Sequence, residues 1–209
     1  MPQITWNEPL NMTPNSSPLE TNSSQLETLY AGRFLSMVRR GHWEFATRRS
    51  ATGVVAIAAV TDDAKLVLVE QARPPLGKRV IELPAGLSGD IAGEESESLA
   101  TAARRELLEE TGYEAQVVRL VTEGPSSAGL TDEMISFFLM TGLTKTGAGG
   151  GDASEDIVVH EIPLAALPEW LEEHRSAGWA IDPKIYVGLF WIVHNSRPAG
   201  DSVGDKVRE

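Results

Sequence analysis

Residues 105–113 read Arg-Glu-Leu-Leu-Glu-Glu-Thr-Gly-Tyr. On a helix, Glu106 and Glu110 stand one turn apart on one face, with Glu109 beside them. Carboxylates packed this closely repel, and a like-charged i, i+4 pair costs roughly 0.2–0.5 kcal/mol even on an open surface. Arg105 offsets part of that cost. A hard divalent cation offsets more, because clustered carboxylate oxygens are what Mg²⁺ or Mn²⁺ takes. Taken alone, such an acidic run is also what a solvated helix face looks like. Its surroundings favour a built site: Pro84-Ala85-Gly86 lies upstream, Gly112 ends the segment, and a Leu/Ala stripe runs along the other side.

That stripe predicts the helix. Leu99, Ala103 and Leu107 fall at i, i+4 and i+8 with Ala102 adjacent. Acidic residues of the preceding loop, LSGDIAGEESE, crowd its start, where the helix dipole favours them. Gly112 supplies a left-handed stop. Upstream, Val54–Val60 and Leu66–Glu70 read as strands joined by the turn Thr61-Asp62-Asp63-Ala64, and Arg79–Leu83 as a short strand closed by Pro84. Downstream, strands are expected at 115–122, 134–141 and 157–162. The glycine-rich TGAGGGDASED before the last of these reads as mobile from its composition. Asp182-Pro183 predicts an N-cap and first-turn proline for a final helix ending near His194.

Ahead of this lies a β-rich segment, with strands meeting at Arg40-Gly41. The organisation expected is a flexible arm over 1–25, an N-terminal β element over 26–50, a main domain over 51–195 and a flexible tail over 196–209. The fold class is α/β, a mixed sheet with helices packed on it.

Composition limits the partners. Thirty acidic residues against 18 basic ones leave a net charge of −12, which repels nucleic acid at long range. There are no cysteines, so any metal is held by oxygen or imidazole. His42, His160, His174 and His194 show no ligand spacing, which argues against zinc. The first residues lack a basic start and an apolar run, so no signal peptide is visible. No stretch is long enough to span a membrane; the most apolar, Ile185–Val193, reads as a short buried helix. A cytoplasmic location fits these features best.

Residues 105–113 match R-E-U-x-E-E-x-G-U at every specified position, and Glu97 stands eight positions before Arg105. In this the chain resembles the Nudix hydrolases. One departure lies upstream: ten residues separate Gly86 from Glu97 where that motif has five, which reads as a loop insertion. LVLVEQARPPLGKRVIELPAGL resembles the segment leading into the motif in the ADP-ribose pyrophosphatase branch. SSAGLTDE resembles that branch's S-P-G-x-[ST]-[DN]-E loop, with Ala128 replacing proline, and SEDIVVHEIPL resembles a later strand. Together these cover roughly residues 50 to 165.

The resemblance implies a Nudix α/β/α sandwich with a small N-terminal β element. It implies Glu106, Glu109, Glu110 and the carbonyl of Ala85 as metal ligands, with Arg105 orienting the carboxylates. Glu97 reads either as a salt-bridge partner within the helix or as a first-turn glutamate aiding the dipole. Glu155 is the candidate general base, with Asp152, Asp156 and Glu109 as competitors. Arg73 would bind phosphate or ribose oxygens, Glu82 the base or ribose, and the downstream loop would touch substrate at Gly129 and Glu133. Trp43 or Phe45 would stack on a nucleobase, although strand aromatics are more often core. The N-terminal element is expected to cross to a partner, making a homodimer.

The implied activity is Mg²⁺-dependent (or Mn²⁺-dependent) hydrolysis of ADP-ribose or a related nucleoside diphosphate sugar to a nucleoside monophosphate and a sugar phosphate. Alternatives are another Nudix substrate such as GDP-mannose or a dinucleotide, a non-catalytic Nudix ligand sensor, and a plain interaction domain. A sensor would be expected to shed motif carboxylates and carry a basic DNA-binding appendage; here the carboxylates are complete.

Overall fold

Strand β4 (Gly53–Val60) is buried along nearly its whole length, as a strand covered on both faces must be. Its alternate residues sort two cores. Val55, Ile57 and Ala59 pack with Ala102, Ala103 and Leu107 of helix α1 (Leu99–Thr111), while Ala56 and Ala58 join a second cluster on the opposite face. That second cluster is closed by Leu167 and Leu171 of α2 (Leu167–Ser176) and by Ile185 and Ile192 of α3 (Lys184–Asn195). Helices therefore cover both faces of one sheet, the expected α/β/α sandwich. The computed structural model describes residues 25–91, 93, 95–151 and 156–195, so the proposed arm and tail lie almost wholly outside the described residues.

The sheet runs β11 (Ala180–Ile181), β6 (Lys78–Glu82), β5 (Lys65–Arg73), β4, β9 (Met134–Lys145) and β8 (Tyr113–Pro125), with β7 (Ala85–Ser88) paired to β4 and β10 (Val158–Pro163) to β5. It is mixed: β4–β9 and β11–β6 pair in parallel and the other pairs are antiparallel. No helix among the described residues is long and apolar enough to cross a membrane.

A separate antiparallel sheet precedes this one, formed by β1 (Glu27–Ala31), β2 (Leu35–Arg40) and β3 (Trp43–Arg48) in that order. The β2–β3 turn falls at Gly41, as expected, with a left-handed φ of 63°. The sheet is tied to the main domain where Ala46 N–H donates to Leu130 O at 2.9 Å. Trp43 is 58% exposed, so the expectation that a strand aromatic here is core does not hold for it.

Both predicted helix ends of α1 form. Gly112, with φ 74°, donates its N–H to Leu108 O at 2.8 Å. At the other end the Ser98 hydroxyl accepts from Thr101 N–H at 3.1 Å, which makes Ser98 the N-cap and puts Glu97 ahead of the helix rather than in its first turn. Asp182 caps α3 as expected, its carboxylate accepting Lys184 N–H at 2.8 Å.

Three readings are corrected. The Ile185–Val193 run is helical but only half buried: Ile185 and Ile192 face the core, while Tyr186, Phe190 and Val193 are more than half exposed. An apolar run without periodicity does not reveal that only one face meets the sheet. Helix α2 was not anticipated; it is short and buries only Leu167 and Leu171. The glycine-rich connection is not free at residues 146–151. Gly150 and Gly151 N–H donate to Glu110 O and Glu109 O at 2.7 and 3.0 Å, because the end of α1 leaves carbonyls that need donors.

Candidate active site

Helix α1 carries its three glutamates towards the β7 edge. Glu110 is buried, and its Oε2 accepts Ala85 N–H at 3.2 Å. Glu106 packs over Gly86 so closely that a Cβ added there would lie 1.9 Å from its carboxyl carbon, so any side chain at this position would push the carboxylate out of its present place. Glu109 is half exposed. The helix thus puts Glu106 and Glu110 on the face that meets Ala85-Gly86, with Glu109 beside them on Arg105.

Arg105 sits at the centre. Nη1 donates to Glu106 at 2.9 Å and Glu109 at 3.1 Å, and Nη2 to Leu87 O at 2.8 Å. Nε and Nη2 each reach Glu97 at 3.2 Å, and Asp90 lies 3.6 Å away. Of the two readings of Glu97, the salt bridge is the one observed. Burial works against the charge of Arg105, but the Glu97 hydrogen bond and the surrounding carboxylates raise its pKa above the ordinary arginine value. One guanidinium is therefore shared among four carboxylates. The consequence shows at Glu106, where burial pushes the pKa up to about 6, Arg105 opposes it only in part, and Glu109 adds to the rise.

Among the described residues, no three acidic or imidazole side chains already form a metal cage. Glu106 and Glu109 are turned onto Arg105, and Glu110 onto Ala85 N–H. The donor set still fits a hard divalent cation, being all oxygen, partly buried and short of positive charge.

The expected substrate residues separate into two groups. Arg73 Nε donates to Glu82 Oε2 at 2.7 Å, so these two candidates pair with each other. Burial raises the pKa of Glu82 against the pull of Arg73. Glu82 lies at the end of β6, three residues before Ala85 in the sequence. Gly129 and Glu133 lie instead in the loop against β3, where Glu133 meets Arg48 at 2.5 Å. A cleft of about 340 Å³ opens there, lined among others by Arg48, Leu99, Glu123, Asp132, Glu133 and Ser136. Arg48 carried no sequence signal, since only the fold brings it to Glu133. Glu155 and Asp152 lie outside the described residues; Asp156 is bound by Arg79 Nη1 at 2.7 Å.

Comparison with known proteins supplies the family. The NUDIX domain family model matches residues 50–182. An ADP-ribose pyrophosphatase of Mycobacterium tuberculosis is 37% identical over 153 residues, 70% of this chain and 71% of that protein. A methanol dehydrogenase activator of Bacillus methanolicus is 37% identical over 124 residues, and an ADP-ribose pyrophosphatase of Bacillus subtilis 41% over 87. These two matches span 64% and 44% of the relatives' own lengths, and 59% and 42% of this chain. A solved structure described as an ADP compounds hydrolase shares the fold with a TM-score of 0.62 at 20% identity, covering 83% of this chain and 95% of that one.

Proposed function

The chain belongs to the Nudix family, and from that premise we propose that it hydrolyses the pyrophosphate bond of ADP-ribose or a related nucleoside diphosphate sugar in a metal-dependent reaction. The products are a nucleoside monophosphate and a sugar phosphate. The observation that carries this reading is the deficit of positive charge on α1, where among the described residues Arg105 is the one cation paired with Asp90, Glu97, Glu106 and Glu109. Mg²⁺ or Mn²⁺ suits these oxygens, and bound there it would neutralise the diphosphate and make a water more nucleophilic.

The chain's own residues have separable tasks. Glu106, Glu109, Glu110 and the Ala85 carbonyl would hold the ions. Arg105 would orient the carboxylates without touching substrate. Glu82 and Arg73 would bind the nucleoside or phosphate oxygens, and Gly129 and Glu133 would border the rest of the substrate. Glu155 is the general base in this reading. Its support is a tether: Gly151, four residues earlier, is hydrogen-bonded to Glu109 O, and four extended residues reach about 14 Å at most. A homodimer is favoured by the N-terminal sheet, which exposes Tyr30, Phe34, Leu35, Met37 and Trp43.

The test is product analysis on a panel of nucleotide sugars with Mg²⁺, run beside Glu110→Gln. Cleavage of ADP-ribose to AMP that disappears in the variant is the expected result. Activity confined to GDP-mannose or a dinucleotide would keep metal hydrolysis and discard the ADP-ribose assignment. No turnover of any substrate, with nucleotide binding retained, would leave a ligand sensor.

A further inference from the structure

The C-terminal end of α1 is closed by a distant piece of chain. Gly150 and Gly151 N–H donate to the carbonyls of Glu110 and Glu109 at 2.7 and 3.0 Å. Thr146 and Gly147 N–H both donate to Gly112 O, at 2.8 and 3.1 Å. Carbonyls that a helix end leaves without partners are thereby satisfied from residues 146–151. The contact is backbone on backbone. A Cβ at Gly149, where φ is +69°, would lie 2.4 Å from the carbonyl carbon of Thr111 and 2.7 Å from Glu110 O. A Cβ at Gly112 would lie 2.1 Å from Gly147 O.

The two carbonyls held in this way belong to Glu109 and Glu110, two of the residues read as metal ligands. Glu110 is gripped at both ends, its side chain by Ala85 N–H and its main chain by Gly150 N–H. A functional constellation tolerates errors of roughly 0.5 Å. The last turn of a helix frays unless its carbonyls are bonded. We infer that residues 146–151 form a positioning clasp that sets the backbone of Glu109 and Glu110 for cation binding, with Gly149 the position at which the clasp seats. This rests on the reading of α1 as the metal helix. Coupling between two sites is reciprocal, so cation bound at α1 must tighten the clasp by the factor with which the clasp tightens the cation.

The test is a Mn²⁺ titration of the metal-free full chain, following free Mn²⁺ by electron paramagnetic resonance, for wild type, Gly149→Ala and Gly178→Ala. Gly178 is a matched control, with φ +102° and nothing within 4 Å of an added Cβ. Gly149→Ala should weaken Mn²⁺ binding on the order of tenfold. It should raise the metal concentration for half-maximal turnover and leave KM for the nucleotide sugar unchanged at saturating metal. Gly178→Ala should bind Mn²⁺ as wild type does. A second measurement needs no clasp variant: Mg²⁺ should slow hydrogen exchange at the amides of 146–151 but not at 177–181, and the protection should survive Glu155→Gln.

Wild-type Mn²⁺ affinity in Gly149→Ala, with the 150 and 151 amides exchanging freely, would overturn the clasp and leave the metal helix standing. So would exchange indifferent to Mg²⁺, or protection lost in Glu155→Gln. Failure of wild type to bind Mn²⁺ would remove the metal reading itself, and the clasp with it.

Discussion

Glu70 and Glu106 are glutamates turned inward on opposite faces of one sheet, and their carboxylates are treated in opposite ways. Burial would raise the pKa of Glu70, but Trp179, His160 and Arg79 together outweigh it and bring it down to about 2. Arg79 Nε donates to one oxygen, and His160 Nε2 lies 2.9 Å from the other. The Trp179 indole N–H is buried without a well-formed hydrogen bond, so its pull on Glu70 is that of a nearby dipole. Glu106 has one cation to itself only in part, and its pKa goes up to about 6. The number of donors per carboxylate separates the two: Glu70 is amply supplied, and Glu106 is left short on the face where a metal would bind. A carboxylate left short of donors is free to take a cation, whereas one amply supplied, as in the structural joint at Glu70, already has its charge balanced.

The largest effect expected from breaking this contrast is on turnover. Glu106→Gln replaces one carboxylate oxygen with an amide nitrogen and removes the charge; if Glu106 holds a metal, loss of one metal-stabilised interaction worth several kcal/mol corresponds to about 10³-fold in kcat. Steady-state rates at saturating Mg²⁺ test this, with far-ultraviolet circular dichroism showing that the variant folds. A loss below about tenfold would mean that Glu106 is not a ligand.

Next comes stability on the other face. Glu70→Gln leaves Arg79 and His160 facing a neutral amide. It should cost about 1–3 kcal/mol, less than the 3–5 typical of a fully buried pair because Arg79 is partly exposed. The midpoint of urea unfolding at pH 7 measures it, and an unchanged midpoint would reduce the joint to a surface contact.

The same joint predicts an acid limb. The pKa of Glu70 is lower in the folded state than its ordinary value of 4.5. Its contribution is therefore complete above that value and is lost as pH falls from there towards about 2. Wild type should lose stability between about pH 5 and pH 2 more steeply than Glu70→Gln, and parallel curves would refute the assignment.

These contrasts were unequally legible in the sequence. The α1 site could be read because its signals are local: carboxylates one turn apart, an apolar stripe behind them, and Gly112 as the stop. Asp182-Pro183 announced α3 for the same reason. The Glu70 joint could not be read, since Arg79, His160 and Trp179 reach it only through strand pairing and the packing of α2. The glycine-rich 146–151 segment suggests mobility from composition, yet the lack of a side chain at Gly149 is what lets it seat against Thr111, and the lack of one at Gly112 makes room for Gly147 O. Arg105 was expected to orient carboxylates. Its sharing among four of them, with Leu87 O as well, depends on where the 86–97 loop and β7 fold back.

The smallest effect is the most discriminating, because it reverses sign. With its pKa raised, Glu106 contributes stability that is complete below the ordinary carboxylate value of 4.5 and is lost as pH rises from there through about 6. At pH 7 its ionised form therefore weighs against the metal-free fold. Glu106→Gln removes that burden and keeps the shape, so in EDTA the variant should be more stable than wild type by about 1 kcal/mol, a gain obtained at the expense of function. Added Mg²⁺ should reverse the order, since wild type gains RT ln(1 + [Mg²⁺]/Kd) and the variant gains less. Thermal unfolding of both proteins in EDTA and in Mg²⁺ gives all four values. A variant less stable than wild type in EDTA would mean that Arg105 satisfies Glu106 as fully as Arg79 and His160 satisfy Glu70, and the distinction between joint and site would fail.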